Sequence, residues 1–198
     1  MERRKDVAAF ILAGGKSTRM GRDKAFVEFE GSTLLQRALE LAGPVGSEFR
    51  IVGNREKFSA YAGIVEDIFR DCGPLGGIHA ALRSSSAELN LIVAVDMPFM
   101  KPEFLQYLIG LAQKAREACV TVPRGATGWQ PLCAVYRREF VTEAEKALRG
   151  GRYKIDPLFS LVRTQVVQQE ELEACGFSES MFRNLNAPED LEAGKNWG

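Results

Sequence analysis

V-A-A-F-I-L-A-G-G-K-S-T-R-M-G-R-D-K, residues 7–24, decides how this chain folds. Val7 to Leu12 is a short, almost uninterrupted apolar run, the pattern of a strand buried on both faces of a parallel sheet. The segment that follows packs four cations and three glycines into the thirteen residues from Leu12 to Lys24. Successive glycine N–H groups can wrap an anion where a side chain would obstruct approach. Arg19 can then fork onto phosphate oxygens, and Lys24 can add a point charge. A solvated surface loop with incidental lysines is the bland alternative. The concentration of cations directly after a buried strand favours phosphate.

Outward from this segment, strands and helices alternate. Thr33 to Ala42 has apolar residues at helical spacing and stops at Gly43-Pro44. Phe49–Val52 and Ile64–Val65 are strand candidates, and Leu75 to Leu82 reads as a helix opening behind Gly73-Pro74. Leu89 to Val95 is the strongest strand and runs into Asp96-Met97-Pro98. Pro102 to Ala115 is an amphipathic helix with proline in its first turn. Strands at Cys119–Val122 and Leu132–Tyr136 and helices near 139–149 and 187–193 complete the pattern, with Thr164 to Gln168 undecided. This rhythm implies an α/β fold with right-handed crossovers and a mostly parallel central sheet covered on both faces, as one domain over residues 1–198. Ligands of such sheets bind beyond the carboxyl ends of the strands, where the motifs lie.

Composition sets the outer bounds. The chain has 198 residues, 26 Lys and Arg against 26 Asp and Glu, and hence no net charge that would draw nucleic acid or an anionic membrane to its whole surface. The four cysteines, at 72, 119, 133 and 175, have no C-x-x-C or metal-finger spacing, and His79 is the single histidine. Reduced thiols in a cytoplasmic protein are the expectation. The apolar run at Val7–Ala13 is too short, and too polar at its exit, for a signal peptide or a spanning helix.

Two familiar phosphate loops are excluded. Gly15-Lys16-Ser17 mimics the end of a P-loop, but the glycine required five residues earlier is Phe10. Gly14 and Gly15 are adjacent, so the G-x-G-x-x-G dinucleotide fingerprint is absent. L-A-G-G-K-S-T-R-M-G-R-D-K at 12–24 instead resembles the N-terminal signature of nucleotidyltransferases that join an NTP to a phosphorylated acceptor. Its double glycine resembles the molybdenum cofactor guanylyltransferases, where cytidylyl relatives more often read L-A-A-G. Glu66-Asp67, Gly73-Pro74-Leu75-Gly76-Gly77-Ile78, Val95-Asp96-Met97-Pro98 and Asn184-Leu185-Asn186-Ala187-Pro188-Glu189-Asp190-Leu191 match in the family's order across nearly the whole chain.

The resemblance implies a three-layer Rossmann-like nucleotidyltransferase fold and transfer of GMP from Mg2+-bound GTP to the terminal phosphate of molybdopterin carrying molybdenum. It makes Asp96 the metal-binding aspartate and Arg19, Lys24 and Asp96 the catalytic set. It puts the nucleotide against Leu12, Ala13, Gly14, Gly15, Lys24, Asp67, Gly73, Pro74, Leu75 and Asp96. Asn184 and Asn186 are implied acceptor or metal contacts, although turn and cap chemistry before Pro188 explains them equally well. Arg149, Arg152 and Lys154 could meet an acceptor phosphate or belong to a solvated helix end. Trp129, in the loop Gly125–Pro131, is either a packed aromatic or a stacking surface for a flat pterin.

Implied partners are GTP, molybdopterin, a molybdenum-insertion protein that delivers it, and molybdoenzyme apoproteins or their chaperones. One departure stands out: the family's asparagine at the end of the second strand aligns with Val52, so either Asn54 substitutes for it or the contact is missing. Rival readings are a cytidylyl or other nucleotidyltransferase on the same scaffold, and a non-catalytic nucleotide-binding regulator.

Overall fold

The computed structural model describes residues 6–14 and 23–185. Strands are β1 (Val7–Leu12), β2 (Glu28–Phe29), β3 (Ser32–Thr33), β4 (Glu48–Val52), β5 (Ile64–Val65), β6 (Leu89–Ala94), β7 (Val120–Gly125), β8 (Gly128–Trp129), β9 (Cys133–Arg137) and β10 (Thr164–Gln168). The α-helices are α1 (Leu34–Ala42), α2 (Pro74–Ser84), α3 (Pro102–Lys114), α4 (Phe140–Arg149) and α5 (Gln169–Ala174). The main sheet has the order β10-β7-β9-β6-β1-β4-β5, with β8 paired to β7, while β2 and β3 form a separate small ribbon.

β1 lies between β4 and β6, parallel to both. Every one of its six residues is buried, and the strand's twofold alternation divides them. Val7, Ala9 and Ile11 enter a core layer with α1 and α3, while Ala8, Phe10 and Leu12 enter a second layer with α2 and α4. Helix, sheet and helix thus form three layers, and both sheet faces are dry. That is why the run carries no polar residue.

α1 is held at its start by a capping box: Thr33 Oγ1 accepts from the Gln36 N–H, and Gln36 Oε1 accepts from the Thr33 N–H. Thr33→Ala should cost about 1 kcal/mol, read as a lower urea midpoint at unchanged slope.

The sheet is not uniformly parallel. β9 runs antiparallel to both β6 and β7, because β7 turns back through the tight β7–β8 hairpin, where Gly128 has φ +111°. The undecided stretch Thr164–Gln168 is β10, a parallel edge strand against β7. The helix expected at 187–193 lies outside the described residues. Among the described residues, no helix is long and apolar enough to cross a membrane.

Candidate active site

From β1 the chain moves outward through β4 to β5, then returns to place β6 on β1's other side. The reversal leaves a crevice beyond the carboxyl ends of β1 and β6, where open α/β sheets bind ligands. Backbone bonds bring those ends together: Val95 N–H donates to Leu12 O (3.1 Å) and Ala13 N–H to Val52 O (3.0 Å). Two adjoining hollows open here, of about 230 and 770 Å³, and Gly14 and Pro74 line both.

The smaller hollow is lined by Leu12, Ala13, Lys24 and Asp96, among others. Asp23 caps the short 3-10 turn Lys24–Phe26, its Oδ1 accepting from the Ala25 N–H at 3.0 Å, and buried Ala25 anchors that turn. Lys24 Nζ consequently lies 2.8 Å from Asp96 Oδ2, across 72 positions of sequence, with the two side chains only 22% and 18% exposed. Asp96 leaves the end of β6, and its carbonyl accepts from the Leu185 N–H at 3.0 Å. The segment carrying Asn184 is therefore held against the Asp96 backbone, with Asn184 itself exposed.

The larger hollow is walled by the loop between β5 and α2, including Glu66, Asp67, Arg70, Asp71 and Gly73. Gly73 has φ +64°, a left-handed turn that feeds Pro74 into the first position of α2. Gly76 lets α2 approach closely, since a Cβ there would sit 2.8 Å from Phe69 O. Asp67 Oδ1 is buried with no hydrogen-bond partner, and burial raises its carboxyl above the ordinary range. Three carboxylates against one arginine make this wall suited to hydrogen-bond donors, whereas the Lys24 side suits an anion.

Leu12, Ala13, Gly14, Lys24, Asp67, Gly73, Pro74 and Asp96 are thus brought together around one cleft. Leu75 is not delivered to it by its side chain, which is fully buried in the α2–α4 layer. Gly15, Arg19 and Asn186 lie outside the described residues. Val52 is buried, and Asn54 lines the larger hollow while its Oδ1 accepts from the Lys57 N–H at 2.8 Å.

Farther off, Trp129 packs on Phe159 (centroids 5.0 Å) beneath the Arg124 guanidinium (5.0 Å). Its hairpin is fastened by Glu179, which accepts from Thr127 N–H and Oγ1–H at 3.0 and 3.1 Å. Arg149 forks onto Glu145, while Arg152 and Lys154 are exposed. His79 is buried between α2 and α4, 3.4 Å from Glu145. Sequence reasoning missed Lys57, whose ammonium pairs with Asp23 and reaches Ala13 O at 3.4 Å. These partners are 34 and 44 positions away, so no local spacing signals them.

The family model for the MobA-like NTP transferase domain matches residues 9–171. The chain belongs to the MobA-like NTP transferase family. As a family member it is a nucleotidyltransferase. It is 37% identical to a Pelotomaculum thermopropionicum protein named probable molybdenum cofactor guanylyltransferase, over 91% of this chain and 88% of that one. Another relative, the molybdenum cofactor guanylyltransferase of Desulfosudis oleivorans, is 34% identical over 94% of this chain and 93% of its own. The crystal structure of molybdopterin-guanine dinucleotide biosynthesis protein A from Archaeoglobus fulgidus superposes with a TM-score of 0.83 at 30% identity, covering 96% of this chain and 97% of that one. In this MobA-like chain Gly14, Lys24 and Asp96 therefore stand on a scaffold shared over nearly its whole length.

Among the described residues no three His, Cys, Asp or Glu side chains cluster as a metal site. The donors present nevertheless fit a cation that arrives with a nucleotide. Asp96 lines the smaller hollow, and Mg2+ is commonly held by one or two carboxylates plus phosphate oxygens and water.

Proposed function

We propose that this enzyme transfers GMP from GTP to the terminal phosphate of molybdopterin, forming the guanine dinucleotide of the cofactor and releasing pyrophosphate. The carrying observation is the Lys24–Asp96 pair in a hollow that opens, past Gly14 and Pro74, into a second hollow lined by carboxylates. One extended molecule with a donor-bearing base and an anionic tail matches that division of charge. Guanine offers N1–H and an exocyclic amine, and the Asp67 carboxylate on the wall of the larger hollow would accept from them. The small Gly14 leaves the backbone open where the tail passes toward Lys24.

The acceptor phosphate monoester has its second pKa near 6 and is largely ionised at neutral pH. Its oxygen attacks the α-phosphorus directly and the bond to the pyrophosphate oxygen breaks. No proton needs removal, which agrees with the burial of His79 away from the cleft. Asp96 would hold Mg2+, which when bound supplies neutralisation of charge on the triphosphate oxygens. Lys24 holds phosphate oxygens and offsets their repulsion of the incoming acceptor. Positioning and charge then supply the acceleration.

The test is incubation of the protein with Mg2+, molybdopterin on its carrier and either GTP or CTP, followed by mass analysis of the pterin. A product heavier by GMP, with CTP turned over at least about a hundredfold more slowly, is expected from a site that pairs its buried polar groups with one base. Equal use of CTP, or no nucleotide on the pterin, would overturn the assignment.

A further inference from the structure

We infer that Lys57 is a positioning residue that ties together the two ends of the glycine-rich segment and thereby fixes Lys24 in the nucleotide cleft. The inference rests on the nucleotidyltransferase reading above, and Lys57 acts through Asp23 and Lys24 rather than on the reacting atoms. Lys57 Nζ pairs with the Asp23 carboxylate, lies 3.4 Å from Ala13 O and stands 4.6 Å over the Phe58 ring. Ala13 precedes the segment 15–22 and Asp23 follows it. A single ammonium thus joins its entrance to its exit.

The connection continues on both sides. Lys57 is itself set by the turn that Asn54 opens after β4. Asp23 uses its two oxygens differently: Oδ2 faces Lys57, and Oδ1 holds the Ala25 N–H that starts the turn bearing Lys24. Two ion pairs, Lys57–Asp23 and Lys24–Asp96, are thus joined through the Asp23–Lys24 peptide, and Asp23, Lys24 and Asp96 line the smaller hollow. The Lys57 side chain is 22% exposed and that of Asp23 30%, and burial pulls the Lys57 ammonium below the ordinary lysine range. In such a setting, removing one partner leaves the other's charge poorly compensated. Without Lys57, the Asp23 carboxylate would repel the triphosphate that Lys24 must hold.

Lys57→Met should raise the KM for GTP about tenfold while kcat changes less than about twofold, the signature of lost binding made equally in ground and transition states. Lys57→Arg should restore most of the loss. Adding Asp23→Asn to Lys57→Met should also improve GTP binding, because it removes the uncompensated charge and keeps an oxygen for the Ala25 amide. Hydrogen exchange at the Ala25 amide, measured without nucleotide, should quicken in Lys57→Met at unchanged melting temperature. Unaltered KM, a fall confined to kcat, or additive losses in the double variant would overturn the inference. If the wild type bound no GTP, the reading of the cleft would fail, and Ala25 exchange would still decide the role of Lys57.

Discussion

Asp96→Ala is expected to lower kcat by about three orders of magnitude while changing GTP affinity by less than about tenfold. The asymmetry follows from where Asp96 sits. It projects from the end of β6 into the smaller hollow, away from the walls that would take the base. Its loss leaves the larger hollow intact, because Asp96 does not line it, and removes the carboxylate 2.8 Å from Lys24. Binding that depends on base and ribose survives, and Lys24 remains in the cleft to meet the phosphates. What disappears is the carboxylate that would hold Mg2+ where charge builds up on the phosphates. Asp96→Asn keeps the shape and should be nearly as inactive. Steady-state kinetics at saturating Mg2+ provide the measurement, and near-normal turnover by either variant would remove Asp96 from the chemistry.

Lys24→Met should have the second largest effect, with kcat/KM for GTP falling about a hundred- to a thousandfold. Here the base affinity is retained but the anion meets an uncompensated Asp96. The same substitution should tighten Mg2+ binding in the absence of nucleotide, because it removes the cation that neutralises Asp96. Two effects of opposite sign from one change distinguish a shared site from general damage to the fold. Titration calorimetry with Mg2+ and kinetics with GTP read them separately, and a loss of both affinities would contradict the arrangement.

Much of the fold was legible because β1 and β6 are buried on both faces, and such strands can tolerate little but apolar residues. The helices announce themselves by apolar spacing and stops, as with Gly43 after α1. Strand direction was less visible. Leu132–Tyr136 has the same apolar character in either orientation, and only the hairpin at Gly128 reverses β9. Thr164–Gln168 is hard to assign because an edge strand with only Val167 buried, and glutamines at 165 and 168, lacks a continuous apolar run.

At the site, residues that follow β1 and β6 were readable, since their positions are set by the sheet. The resemblance implies that Leu75 contacts the nucleotide; helical geometry turns its side chain into the core and leaves Pro74 facing both hollows. Lys57 was invisible for the opposite reason: its partners Ala13 and Asp23 come to it only when β1 and β4 pair.

A crystal structure with Mg2+ and a non-hydrolysable GTP analogue tests the central claim most directly. Guanine is predicted in the larger hollow, with a ring N–H or amine on Asp67, and the phosphates past Gly14 on Lys24. The Lys24–Asp96 pair should be opened, with Asp96 turned to the cation. A nucleotide bound elsewhere, or one whose phosphates leave that pair intact, would contradict the account.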